Sequence, residues 1–83
     1  MPATVRMYSR RRCGLCDEAR EVVETVARAV PLEFEEVLID GDDDLELRYG
    51  LRIPVIEVAG REVFELTVDA EALVELVREA EPG

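Results

Sequence analysis

The chain has 83 residues, 48% of them apolar and 36% charged, which suits one small soluble core and a single domain over residues 1–83. Ten arginines stand against twenty acidic residues, giving a net charge of −10, and Lys, His, Asn, Gln and Trp are absent. That balance excludes general binding to nucleic acid or anionic membranes, and the missing histidine excludes His-ligated metals and Ser-His or Cys-His catalysis. No apolar run approaches the roughly 20 residues needed to cross a bilayer, and no basic-then-apolar leader opens the chain, so a cytoplasmic address is expected. The net charge favours a monomer. A chain rich in Glu and Arg and free of Asn and Gln suits a thermophilic source.

In chain order, residues 4–8 alternate apolar with polar and predict a short strand. Residues 9–12 form a polar loop. Leu15, Ala19, Val22, Val23, Val26 and Val30 recur in steps of three and four, the face of a helix that Pro31 ends. Residues 32–39 predict a strand. Its continuous Val37-Leu38-Ile39 run suggests burial on both faces and parallel pairing with the first strand. The acidic turn at residues 40–44 reads as a solvated cap, with Asp43 or Asp44 starting a short helix through Tyr49; its spacing lacks the glycine and distal glutamate of an EF-hand. Residues 54–58 and 61–66 predict a hairpin across Ala59-Gly60. Asp69 caps a last helix whose apolar face is Ala70, Leu73, Val74, Val77 and Ala80. The order β-α-β-α-β-β-α implies an α/β three-layer sandwich around a four-stranded mixed sheet.

Chemistry concentrates at Cys13-Gly14-Leu15-Cys16, between the first strand and the first helix. One helical turn separates the two sulfurs. A thiolate at the start of a helix meets unpaired N–H groups and a partial positive charge, so Cys13 is expected to ionise below the ordinary thiol value of ~8.5. The charge distribution acts in the same direction. Residues 1–16 hold Arg6, Arg10, Arg11 and Arg12 and no acid, whereas residues 17–83 hold six arginines and all twenty acids. Cys13 is the candidate nucleophile and Cys16 the candidate resolving thiol. Three other readings stay open: a structural disulfide, a pair of inert buried thiols, and a two-thiolate Cu(I) site in a small carrier domain. Copper carriers of that kind follow the order β-α-β-β-α-β. A single CxxC without histidine is too few ligands for structural zinc, and no cofactor is called for.

Ile53-Pro54 opens the third predicted strand about forty residues after the cysteines. With Met7-Tyr8-Ser9-Arg10 before Cys13-Gly14-Leu15-Cys16-Asp17-Glu18-Ala19, and with residues 45–55 leading into the proline, the chain resembles the small bacterial glutaredoxin-like proteins of the thioredoxin superfamily. The resemblance spans residues 4–80. It implies a thioredoxin-like fold and a thiol–disulfide oxidoreductase acting on a thiol or disulfide substrate, with glutathione as a co-substrate. It also implies Cys13 as nucleophile, Cys16 as resolving cysteine and Pro54 as a cis-proline. Arg10 stands where the family keeps a base for a glutathione carboxylate, and Ile53 where its backbone meets the substrate. Arg12 before the first cysteine and Tyr8 near the thiol site complete the expected substrate contacts. The sequence departs from the family in three places. Gly-Leu replaces Pro-Tyr between the cysteines, Phe64-Glu65 replaces a Gly-Gly pair, and Met7 stands where thioredoxins bury an acid. A docking module that passes electrons to one specific protein partner is the remaining alternative.

Overall fold

The computed structural model describes residues 2–80. The elements run β1 (Ala3–Ser9), α1 (Gly14–Ala29), β2 (Leu32–Leu38), α2 (Asp43–Tyr49), β3 (Val55–Val58), β4 (Arg61–Glu65) and α3 (Ala70–Ala80). This is the order expected, and it is not that of the copper carriers. The four strands form one mixed sheet ordered β2-β1-β3-β4. β1 pairs with β2 in parallel, Ala3 opposite Leu32 through Ser9 opposite Leu38. It pairs antiparallel with β3, Tyr8 opposite Val55, and β3 pairs with β4, Val55 opposite Glu65.

Helices α1 and α3 cover one face of the sheet. Val5 and Met7 of β1 and Ile56 of β3 are fully buried there against Val23 of α1 and Leu73 and Val77 of α3. Each such side chain contributes ~1.5–3 kcal/mol by leaving water, which outweighs the lower helix propensity of the valines in α1. Val30 ends α1 in an extended conformation because Pro31 follows, and its N–H still bonds the Val26 carbonyl at 2.8 Å. On the opposite face α2 closes a smaller core of Tyr8, Ile39, Tyr49 and Val55, with the Tyr8 and Tyr49 rings stacked 4.0 Å apart. Helices on both faces make the three layers. No described helix is long and apolar enough to cross a membrane.

Three local expectations are corrected. β2 pairs in parallel as expected, but it lies at the sheet edge and is not buried on both faces: Leu38 is 45% exposed and only the neighbouring Ile39 is fully buried. The cap of α2 is Asp42, whose Oδ1 accepts the Leu45 N–H at 3.0 Å, rather than Asp43 or Asp44. Arg28, four residues after Glu24 and expected from that spacing to pair with it on a wet helix face, donates to Thr25 at 3.2 Å instead. Asp69 caps α3 as expected, accepting the Ala72 N–H at 3.0 Å.

The hairpin turn holds both central residues at positive φ, Ala59 at 52° and Gly60 at 83°. This two-residue geometry matches the twist of the strands and favours Asn-Gly, whereas alanine is strained there. Ala59 is exposed, so Ala59→Asn should stabilise the fold by about 0.5–1 kcal/mol. A higher urea midpoint with an unchanged slope is the expected result; a lower midpoint would contradict this account of the turn.

Candidate functional site

The sheet register gathers the candidate residues at one end. β1 and β2 finish there, β3 begins there and β4 finishes there. Pro54 precedes Val55, which faces Tyr8, and the Ile53–Pro54 peptide is cis as expected. The Pro54 carbonyl accepts the Leu66 N–H at 2.8 Å, so the exit of β4 is tied to the entry of β3. The loop of residues 10–12 leaves β1 at this same end and delivers the cysteines.

Cys13 is the N-cap of α1. Its Sγ accepts the Cys16 N–H at 3.1 Å, and its carbonyl accepts the Asp17 N–H at 3.1 Å. The sulfur therefore occupies the place where a capping oxygen would normally sit, against first-turn N–H groups. Cys13 and Cys16 are joined as a disulfide with their Cα atoms 5.2 Å apart. The two differ in access: Cys13 is half-buried, whereas Cys16 is fully buried under α1.

The loop before Cys13 is held from behind. The Arg11 N–H bonds Asp40 Oδ2 at 3.0 Å, and the Ile39 N–H bonds the Ser9 carbonyl at 2.9 Å. Arg12 is fixed at a φ of 55°, a left-handed conformation that costs a side-chain-bearing residue about 1 kcal/mol. Arg10 reaches across to α2, pairing with Glu46 at 2.6 Å and donating to the Gly50 carbonyl at 3.2 Å. A Cβ at Gly50 would collide with the Glu46 carbonyl and stand 3.3 Å from the Arg10 guanidinium, so glycine is required at this close approach. The Arg10 side chain thus braces the cysteine loop against α2. Tyr8 lies in the small core, 8% exposed and stacked on Tyr49. Burial pushes its phenol above the ordinary value, so it stays neutral. Ile53 packs against this same core.

A polar cluster missed by sequence reasoning lies beside the loop. Ser9, fully buried, donates to Glu36 at 2.5 Å. Arg20 grips the same carboxylate with two nitrogens at 2.8 and 2.6 Å and also holds Asp17 at 2.8 Å. Arg20 reads in the sequence as part of a wet helix face; instead it bolts α1 to β2. Its partner lies 16 positions away, and no local spacing announces it. Asp17, which would oppose a thiolate if it faced the sulfur, is engaged with Arg20. A second feature is Leu66, at a φ of 71° inside a tight turn closed by the Thr67 N–H on the Glu65 carbonyl at 2.8 Å. The backbone position after the hairpin that suits glycine is therefore Leu66, one residue beyond the expected Phe64-Glu65. With Leu15, Val22 and Val68, Leu66 borders a shallow apolar groove on the α1 side.

Residues 4–78 match the glutaredoxin-like domain family (DUF836). The chain belongs to this family. Among solved structures, the X. campestris target XcR50 is similar at 39% identity over the whole of both chains, with a TM-score of 0.74. Protein Ne2328 from Nitrosomonas europaea is 24% identical over 93% of each chain, with a TM-score of 0.81. A mutant thioredoxin from Halobacterium salinarum is 26% identical over 94% of this chain and 74% of its own, with a TM-score of 0.65. No protein of curated function matches the chain. Family, fold and the paired cysteines together support an oxidoreductase-like role in thiol–disulfide chemistry.

The Glu36 cluster makes a pH-dependent prediction. The Arg20 guanidinium and then the Ser9 hydroxyl hold the Glu36 carboxyl below its ordinary 4.5, outweighing burial. A depressed carboxyl contributes stability that is complete above its unfolded value and is lost as pH falls through the folded one. Glu36→Gln should therefore destabilise by about 1.5 kcal/mol at neutral pH. Its deficit should shrink as urea titrations are repeated from neutral pH to below 4.5. A deficit that stays constant over that range would contradict the ion-paired assignment.

Proposed function

We propose that this glutaredoxin-like chain is a thiol–disulfide oxidoreductase with Cys13 as nucleophile and Cys16 as resolving cysteine. The observation that carries the reading is the difference between the two sulfurs: Cys13 is reachable and caps the helix, while Cys16 is sealed one turn inside it. In the reduced protein the Cys13 thiolate attacks one sulfur of a substrate disulfide. The substrate S–S bond breaks, a mixed disulfide forms and the first substrate thiolate leaves. Cys16 then loses its proton to solvent and attacks Cys13 Sγ. The Cys13–Cys16 bond forms and the second substrate thiolate departs. Two electrons have passed to the substrate, which takes up two protons from water.

Activation of Cys13 falls to the helix start and to Arg12 beside it, since the chain has no histidine and Met7 is apolar and fully buried on the preceding strand. Ile53 is assigned to substrate contact because it stands, partly exposed, at the sheet end from which the cysteine loop emerges, and Pro54, fully buried there, shapes that contact from beneath. Arg10 supports the loop through Glu46. Tyr8 acts from beneath, as packing under that sheet end.

Two variants test the reading. Cys13→Ser should reduce turnover of a peptide disulfide to background. Cys16→Ser should retain the first step and accumulate a Cys13 mixed disulfide visible by intact-mass spectrometry. Full activity in Cys13→Ser, or trapping through Cys16 in its place, would overturn the assignment. The same trapped species, formed in a cell extract and identified by mass, distinguishes a general reductase from a module dedicated to one protein.

A further inference from the structure

The groove running from the cysteine loop to the edge strand carries a charge pattern that the redox reading uses only in part, through Arg12. It is open, about 510 Å³ in volume, and its wall includes Arg10, Arg11, Arg12 and Arg20 with Asp17 and Glu36. The two acids are already engaged by Arg20, and Arg10 is engaged by Glu46. Arg11 and Arg12 are different. Both are exposed, and neither has an ion-pair partner among the described residues.

These two arginines are presented by built backbone. Asp40 fixes the Arg11 N–H from behind, and Arg12 is held in a left-handed conformation that its side chain disfavours. The loop therefore holds two unpaired guanidinium groups immediately before Cys13, in a chain whose net charge is −10. Guanidinium groups recognise carboxylates through paired, charge-assisted hydrogen bonds. Separation matters as well. Exposed charges are screened beyond about 8 Å at physiological ionic strength. A partner seated at Cys13 therefore senses the charges of this loop, Arg11 and Arg12 together with Asp40 behind them, more than acids beyond that range.

Resting on the oxidoreductase reading, we propose that the groove at Arg11 and Arg12 docks an acidic polypeptide segment, so that the preferred substrate is a protein disulfide whose cysteine is flanked by Asp or Glu. The expectation from net charge alone is the opposite: an acidic protein should favour cationic substrates. The two accounts thus differ in sign.

The test uses the full chain, reduced and freed of reductant, and two peptide disulfides of equal length that differ only in carrying Glu or Arg beside one cysteine. Formation of the Cys13–Cys16 disulfide is followed under pseudo-first-order conditions at low salt and again at high salt. The Glu peptide should react roughly tenfold faster at low salt, and the ratio should fall toward one at high salt. In the double variant Arg11→Ala, Arg12→Gly the ratio should fall to one or below. Glycine suits the backbone at position 12, so this variant keeps the loop, and a ratio of two substrates cancels any change in Cys13 reactivity. Equal rates, or a faster Arg peptide, in the wild-type chain would overturn the docking proposal while leaving the redox reading intact. A preference that survives the double variant would also overturn it. Reaction with neither peptide would remove the redox reading and the docking proposal together.

Discussion

Everything at the candidate site depends on the position of β1 inside the sheet. Its Val5 and Met7 are fully buried on the α1–α3 face, and its two edges are taken by β2 in parallel and β3 in antiparallel pairing. Because side chains alternate along a strand, a slip of one residue would turn this apolar set to the wrong face. The register is therefore fixed by burial, and it sets the height at which β1 ends. The cysteine loop starts from that height. The opposite direction of β3 brings Pro54 to the same level, and β4 returns Leu66 to it through a hydrogen bond to Pro54. The site is thus a consequence of where one buried strand stops.

Polar interactions then fix the loop without burying uncompensated charge. Arg20 joins α1 to β2 through Glu36, with Ser9 supplying a further hydrogen bond to the same carboxylate. Arg10 joins the loop to α2, and Asp40 holds the backbone of Arg11. Asp17 and Glu36 are in this way turned toward Arg20, and Asp40 toward the backbone of Arg11. The excess of acid in the composition is therefore a poor guide to the surroundings of Cys13, which caps the helix start and follows three consecutive arginines.

Much of the fold was legible in the sequence because the controlling signals are local. Steps of three and four from Ala19 to Val30, a proline at 31 and an Asp at 69 delimit helices by their own chemistry, and the CxxC between a strand and a helix marks the reactive loop. The rest required three dimensions. The run Val37-Leu38-Ile39 resembles a strand buried on both faces, yet the order of strands leaves β2 at the edge, and no property of those three residues encodes how many neighbours flank them. Arg20 and Glu36 meet only because α1 packs back over β2. Leu66 occupies a left-handed position that leucine disfavours, so its conformation follows from the tight turn and from Pro54 rather than from its own preference. Tyr8 and Tyr49 read from the sequence as core or core-edge residues, and both rings lie in the small core.

The central claim is that the helix start makes Cys13 the reactive sulfur. The direct measurement is the pH dependence of alkylation of each cysteine in the reduced chain, resolved by peptide mass. The account predicts that Cys13 reacts as a thiolate with a midpoint below the ordinary ~8.5 and below that of Cys16. A Cys13 midpoint at or above 8.5, or a Cys16 midpoint below that of Cys13, would contradict it.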